Sequence, residues 1–399
     1  MSDETAAGGR PAPTVLFLSL VHPDYLAPVY ALAQVLRDRG YEPTIVSFSS
    51  LATGRYDPGP GITMVDCGPH AGSSAARRRA RRRFRSTAER IFTETRPVSL
   101  IATCPFSYLE ALRLAPGGDP PVVYYVEEIY EVGAASLLRS PLTGLRNWRA
   151  QRRLREAALV AAPSDERAAF IGQRAGLERT PCTVLNSPYV DAATVDVDEA
   201  AIEHLVPSRF REGVLVVNTG RVSATQGILE LVDSVAAWPA DARLVITGVG
   251  DEPYAREVRA RADQSTRRED ICLLPRLSRA AMLALQKQAD IGMCLLRRDA
   301  DPATRMPAPN KVGEYLQWGT LVVASRLPFL AQLEARGVGE MADELECGAI
   351  AAAVGRATQR VQRDGTRERV RRVSREWLNM AVQATPIVRL LEERHGSAT

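Results

Sequence analysis

Lysine is almost missing from this chain. Of its 51 basic residues, only Lys287 and Lys311 are lysines; the rest are arginines. Against such a bias, a lysine at 311 asks for a reason. Cysteine motifs are missing as well. Cys67, Cys104, Cys182, Cys272, Cys294 and Cys347 form no Cys-x-x-Cys, and most lie in apolar runs. That argues against a disulfide framework or thiolate metal site and for free, buried thiols in a reducing compartment. The four histidines (His22, His70, His204, His395) are too scattered for a metal spacing. No apolar run approaches the ~18 residues of a membrane span. The N-terminal "MSDETAAGGRPAP" is small and acidic and lacks the positive start of a signal peptide. A cytoplasmic protein with no metal and no cofactor is expected.

What is there is globular. Hydrophobic residues make up 45% and charged ones 25%, and the net charge of +4 is too small for a polycation. A chain of 399 residues is too long for one ordinary core, so two domains are expected. Short apolar runs recur at 14–21, 43–49, 98–103, 121–126 and 158–164, each separated by a helix-length segment. Runs of this kind read as strands buried on both faces of a parallel sheet. Residues 191–212 are polar and irregular. A second series follows at 213–220, 242–248, 270–275, 289–296 and 320–325. The order strand, helix, strand throughout predicts α/β architecture with two doubly wound sheets.

Three segments carry chemistry. In "PAPNKVGEYLQWGTLVVAS" (307–325), Asn310 can cap a helix that Gly319 ends. Lys311 and Glu314 lie three apart on that helix, so they share a face. The free N–H groups of its first turn and Lys311 favour an anion. Glu314 can accept two hydrogen bonds from vicinal ribose hydroxyls. The alternative is an exposed Glu–Lys pair worth a few tenths of a kcal/mol. In "NTGRVSATQGILELV" (218–232), Gly220 allows a tight turn, Arg221 offers a fork for phosphate oxygens, and Ser223 or Thr225 can cap the next helix. The alternative is a plain turn with a surface arginine. In "VITGVGDEPY" (245–254), Gly248 and Gly250 begin a Gly-x-Gly that Pro253 leaves incomplete. It fails as a dinucleotide fingerprint but suits a tight loop lining a ligand.

In order and spacing these segments, with "ICLLPRLSRAAMLALQKQADIGMCLL", resemble the C-terminal domain of GT-B glycosyltransferases, most closely family 4. The resemblance covers about residues 213–330 well. The first half matches through its opening strand–helix unit and "APSDERAAFIGQRAGLERTPCTVLNSPYVD". It implies two Rossmann-like domains facing across a cleft, with C-terminal helices crossing back onto the first. The boundaries expected are a disordered 1–13, an acceptor-side domain 14–190, a linker 191–212, a nucleotide-sugar domain 213–365, and helices 366–399 packing on the first domain. It implies that Glu314 holds the ribose and Arg221 the diphosphate. Leu274, Pro275 and Arg276 would contact the base through their backbone, and the loop before Lys311 would touch the sugar. Gly220, Gly248 and Asn310 complete the donor side.

Three departures stand out. Many members have two glutamates separated by seven residues; here Met306 takes the first position. Gln226 stands where many have a lysine, and Lys311 can supply that charge. The first strand leads into "LVHPDYLAP" rather than a Gly-Gly loop.

The activity implied is hexosyl transfer from a nucleotide sugar, with retention, to a small-molecule or lipid-like acceptor, in natural-product or glycoconjugate biosynthesis. Arg221 and Lys311 would stabilise the leaving diphosphate without a metal. His22 or Glu127 would serve as acceptor-side base, with Asp24, Glu128 and Glu131 nearby, because these residues follow strand ends. The seven arginines from Arg77 to Arg85 fit an anionic membrane surface or acidic ligand, or are a solvated helix face. With only Phe84 among them, no nucleic acid is expected. The rivals are a nucleotide-sugar 2-epimerase of the same fold and a degenerate member that binds without turnover.

Overall fold

The computed structural model describes residues 12–20, 27–49, 59–130, 132, 138, 140–188, 197–298 and 306–396. Its strands sort into two sheets. The first contains β1 (Thr14–Leu18), β2 (Glu42–Ser47), β3 (Thr63–Asp66), β4 (Ser99–Ala102), β5 (Val122–Tyr125), β6 (Leu159–Ala162) and β7 (Cys182–Thr183). Their order is β3-β2-β1-β4-β5-β6-β7. The second contains β8 (Val214–Asn218), β9 (Ala242–Ile246), β10 (Ile271–Leu273), β11 (Ile291–Cys294), β12 (Leu321–Ser325) and β13 (Gly339–Ala342). Their order is β10-β9-β8-β11-β12-β13. Pairing is parallel, with Val15 opposite Ser99 and Ile291 opposite Val216. Each sheet runs one way for three strands, then crosses to the other side of its first strand. The reversal creates a switch point between β1 and β4 and another between β8 and β11, and ligands of doubly wound sheets bind at the carboxyl ends there.

The strands form because helices cover both of their faces. Leu321 to Ala324 and Val15 to Leu18 are fully buried. Each such Val or Leu contributes about 1.5–3 kcal/mol of apolar burial. Two strands escape the sequence reading. β3 is a half-exposed edge with the weak pattern Thr-Met-Val-Asp. β13 carries Glu340, which is buried only because Arg356 and Arg360 pair with it at 2.9 and 2.7 Å.

The chain divides into two compact units. One holds Met1–Ala161, Ile171–Cys182 and Ala384–Thr399; the other holds Ala162–Phe170 and Thr183–Gln383. Three expected boundaries differ, the first being 14–190, since Ala162–Phe170 and the chain from Thr183 group with the second unit. Residues 191–212 are not a plain linker, since Glu199–Leu205 is a helix of the second unit. Its cap is Asp198, its anchor is buried Ile202, and Glu199 pairs with Lys287 at 2.6 Å. Seven residues with Ile202 and Leu205 as the only large apolar side chains are too short a periodicity to read. Nor does the chain leave the second unit at 366. Helix Thr366–Glu376 stays there because its arginines satisfy carbonyls at other helix ends. Arg367 donates to the Lys287 oxygen at 2.9 Å, and Arg371 to that of Trp318 at 3.2 Å. Only from Ala384 does the chain group with the first unit, where Glu392 pairs with Arg39 at 3.2 Å.

Candidate functional site

The second unit brings its signature residues to the switch point of its sheet. β8 ends at Asn218, and Thr219, Gly220 and Arg221 follow. Helix Asn310–Trp318 reaches this end from the far side of β11. It is buried on all sides from Val312 to Trp318, so it is a core helix carrying two ionisable residues. Tyr315 locks it in place. Its ring lies against Gly292 of β11, where an added Cβ would come within 2.4 Å of the ring. Its hydroxyl accepts from the Thr219 N–H at 3.1 Å and contacts the Thr219 hydroxyl at 2.9 Å.

Lys311 is half-buried. Its ammonium donates to Asn218 Oδ1 at 3.1 Å and to the Thr219 carbonyl at 3.4 Å. Neither acceptor is charged. Burial lowers its pKa, and the nearby Cys294 and Glu314 only partly oppose that. Cys294, at the end of β11, has its thiol pKa pushed up by burial. A cation held by neutral dipoles at a strand end is a place for an anion.

Glu314 takes other partners, so the expected Glu–Lys face is not a pair. Arg279 Nη2 lies 2.9 Å from its Oε1, and Gln286 Nε2 donates to its Oε2 at 3.1 Å. The same Gln286 nitrogen reaches Thr219 Oγ1 at 2.9 Å. Thr219 is therefore the common node of Lys311, Tyr315 and Gln286. Each Glu314 oxygen keeps a second lone pair for a ligand hydroxyl.

Asn310 is not the helix cap. Pro309 holds that position with extended backbone and no side-chain bond, and Asn310 is the first helical residue. Gly319 does end the helix in left-handed geometry, at φ +81°. Asn310 Oδ1, Asn218 Nδ2, Gln286 Oε1 and Gln226 Oε1 are buried without hydrogen-bond partners. Each such atom costs about 1–3 kcal/mol unless a ligand or water completes it.

The three loops after β8, β9 and β10 form one backbone ladder. Thr247 N–H donates to the Asn218 carbonyl at 3.0 Å, Gly248 to Pro275 at 3.2 Å, and Val249 to Leu274 at 3.0 Å. Gly248 has φ +84°, and a Cβ there would sit 2.3 Å from the Gly220 oxygen. This packing brings Gly220, Gly248, Leu274 and Pro275 together. Arg221 and Arg276 are exposed beside them. Ser223 and Thr225 do not cap the next helix; their hydroxyls meet each other at 2.9 Å, and Gly227 stands at the cap.

Sequence reasoning missed several residues. Arg167, buried, donates to the Met306 carbonyl at 2.8 Å, and Asn186 to that of Ala308 at 2.9 Å. They brace the chain just before Lys311. Gln286 and Arg279 were overlooked too. A glutamine on the buried face of "RAAMLALQKQ" was the available signal.

On the first unit, Glu127 is buried just beyond β5 and Glu128 is exposed. His22, Asp24 and Glu131 lie outside the described residues. The arginine run is the first part of helix Ser74–Thr95, whose Ala80, Phe84, Ala88 and Ile91 face the core. No described helix is long and apolar enough to cross a membrane.

Two parallel, doubly wound sheets in one chain, each with its own switch point, fit the GT-B fold that the solved structures below share. Within it, residues 29–189 match the sequence model of Glycosyltransferase Family 4. Solved structures with the same fold include Anabaena HepE in complex with UDP and glucose. It is 16% identical at TM-score 0.67, over 96% of this chain and 100% of that one. A sucrose-phosphate synthase from Thermosynechococcus elongatus is 14% identical at TM-score 0.67, over 95% and 99%. A protein described as a UDP-N-acetylglucosamine 2-epimerase from Listeria monocytogenes is 11% identical at TM-score 0.61, over 97% and 98%. No curated protein matches the sequence significantly.

Proposed function

We propose that the chain is a glycosyltransferase that takes a sugar from a nucleoside-diphosphate donor bound at the β8–β11 switch point. One observation carries this reading. Lys311, one of only two lysines, sits there with its ammonium on neutral acceptors and unpartnered polar atoms around it. HepE, of the same fold, was solved with UDP and glucose and with UDP-glucose, which makes UDP the first nucleotide to try.

When the bond from the anomeric carbon to the diphosphate oxygen breaks, negative charge grows on that oxygen. Lys311 and Arg221 are assigned to meet it. No three His, Cys, Asp or Glu side chains gather to hold a metal ion among the described residues. Glu314 is assigned to the ribose and the Leu274–Arg276 turn to the base. The acceptor is taken by the first unit, with Glu127 or His22 receiving its proton. Hexosyl transfer and retention accompany the family resemblance.

The test is turnover of UDP-sugars. A transferase releases UDP, slowly to water even without acceptor. A 2-epimerase converts the sugar nucleotide to its isomer with no net release of UDP. A binding protein is stabilised by UDP and releases none. Either of the last two results removes the transferase reading.

A further inference from the structure

We propose that the first unit holds an oxyanion, a phosphate-type group carried by the acceptor, between Arg81, Arg146 and His70. The proposal rests on the transferase reading for the word acceptor; the anion site stands on its own geometry. The three side chains come from separate segments. His70 follows β3, Arg81 lies in the second turn of helix Ser74–Thr95, and Arg146 lies in helix Pro141–Arg152. His70 and Arg81 lie against the Phe48–Phe84–Phe106 cluster just beyond the carboxyl ends of β2, β3 and β4, and Arg146 is close enough to act on both electrostatically; a doubly wound sheet takes its ligands at such ends.

Aromatic rings back His70 and Arg81. His70 stacks on Phe48 at 4.5 Å, and the Arg81 guanidinium lies 5.6 Å from the Phe106 centroid. Phe84 packs between Phe48 and Phe106, at 5.5 and 5.9 Å. The polar edges are left unmet. His70 Nε2, Arg81 Nε and Arg146 Nε are shut from solvent without a hydrogen-bond partner. The guanidiniums crowd one another as like charges and disfavour a charged His70. Burial and then Arg81, Arg77 and Arg146 push the His70 pKa down, and burial and then Arg146 do the same for Arg81.

Arginine abundance does not account for this. Three other arginines of the same helix are matched, while Arg78, Arg79 and Arg82 are exposed to solvent. Arg85 pairs with Glu110, Arg83 donates to the Cys67 carbonyl at 3.1 Å, and Arg90 meets Glu94 at 2.8 Å. Among the described residues, no Asp or Glu pairs with Arg77, Arg81 or Arg146. An oxyanion would relieve the crowding and accept from all three edges at once. Its source is a free phosphorylated compound or a lipid headgroup. Leu142 is exposed one turn before Arg146 on the same helix face and would suit a lipid tail.

The test uses the full chain carrying Arg221→Gln and Lys311→Gln, so that second-unit cations do not report. Inorganic phosphate is titrated calorimetrically. One saturable site is expected, weakened about tenfold or more by Arg81→Gln with Arg146→Gln, because two charge-assisted bonds are lost. Arg78→Gln with Arg79→Gln, exposed in the same run, should change it less than about twofold. Absence of a saturable site, or equal loss in both pairs, overturns the proposal. Removing like charges should hold or raise the melting point; should the pair not fold, His70→Asn gives the same readout.

Vesicles of phosphatidylcholine with phosphatidylglycerol separate the sources. Binding that needs Arg81 and Arg146 points to a headgroup, and phosphate binding alone points to a free compound. Vesicle binding lost only with Arg78 and Arg79, beside a silent phosphate titration, overturns the site. UDP titrated into the unmodified chain reports the second unit separately. A phosphate failure with UDP intact removes only the anion site, and the reverse removes only the donor reading.

Discussion

Replacing Lys311 with methionine tests the donor site, because the two roles open to a buried lysine give different results. In the free protein the ammonium makes one good hydrogen bond, at 3.1 Å, and one long one, at 3.4 Å. Hydrogen bonds from a charged group are worth about 1.5–3 kcal/mol. Against that stands the cost of burying the charge, visible in the lowered pKa. The two offset, so Lys311→Met should change stability by no more than about 1–2 kcal/mol. With a diphosphate bound, the ammonium gains an anionic partner in a part-buried place. Losing that contact should cost about 2–3 kcal/mol, roughly 30–150-fold in Kd. The assay is UDP calorimetry beside a thermal melt, with Lys287→Met as comparator. Lys287 pairs with Glu199 on the surface and should leave UDP affinity unchanged. A Lys311→Met chain that melts much earlier yet binds UDP as tightly as before would make this lysine a structural strut, and the reasoning would be wrong.

Other outcomes follow from the same geometry. Because the folded pKa of Lys311 lies below its ordinary value of 10.5, the group costs stability at low pH. That cost fades as pH rises through the folded value. A diphosphate favours the protonated form, so UDP affinity should fall from about pH 7 to about pH 10 in the native chain and much less in Lys311→Met. Equal pH profiles would contradict it. Glu314→Ala should cost about 2–3 kcal/mol in a denaturant melt, less than a fully buried pair, because Arg279 is part-exposed. Glu314→Gln should erase the preference for UDP over 2′-deoxy-UDP, and a preserved preference would take the ribose away from this residue. Gly248→Ala forces a Cβ to within 2.3 Å of the Gly220 oxygen at φ +84°. It should lose about 1–3 kcal/mol of stability and loosen the loop that presents Arg221; an unshifted melting midpoint would refute the close packing.

Much of the fold could be read because buried parallel strands leave continuous apolar runs. "LVVAS" and "VLFL" are unmistakable for that reason. The edge strand Thr63–Asp66 and the short Gly339–Ala342 were not, since their burial depends on neighbours remote in sequence. The donor side was legible where a residue's chemistry departed from its surroundings. Lys311 stood out from the arginines, and Gly248 and Gly220 sat after strands. What could not be read was partnership. Three-residue spacing put Lys311 and Glu314 on one face, with a mutual pair as the alternative, and could not show that tertiary contacts send one to Asn218 and Thr219 and the other to Arg279 and Gln286. The cap failed similarly. Asn310 has the right chemistry, yet the extended backbone of Pro309 takes the position. The arginine run looked uniform in sequence. Only the fold separates Arg85, matched by Glu110, from Arg81, which lies over Phe106 with its Nε unpartnered.

The most direct test is a crystal structure of the chain with UDP. The account predicts the diphosphate within hydrogen-bonding distance of Lys311 Nζ, beside the end of β8, with the ribose hydroxyls at Glu314. UDP bound away from β8, or seated there with Lys311 still on Asn218 and Thr219 alone, would contradict it.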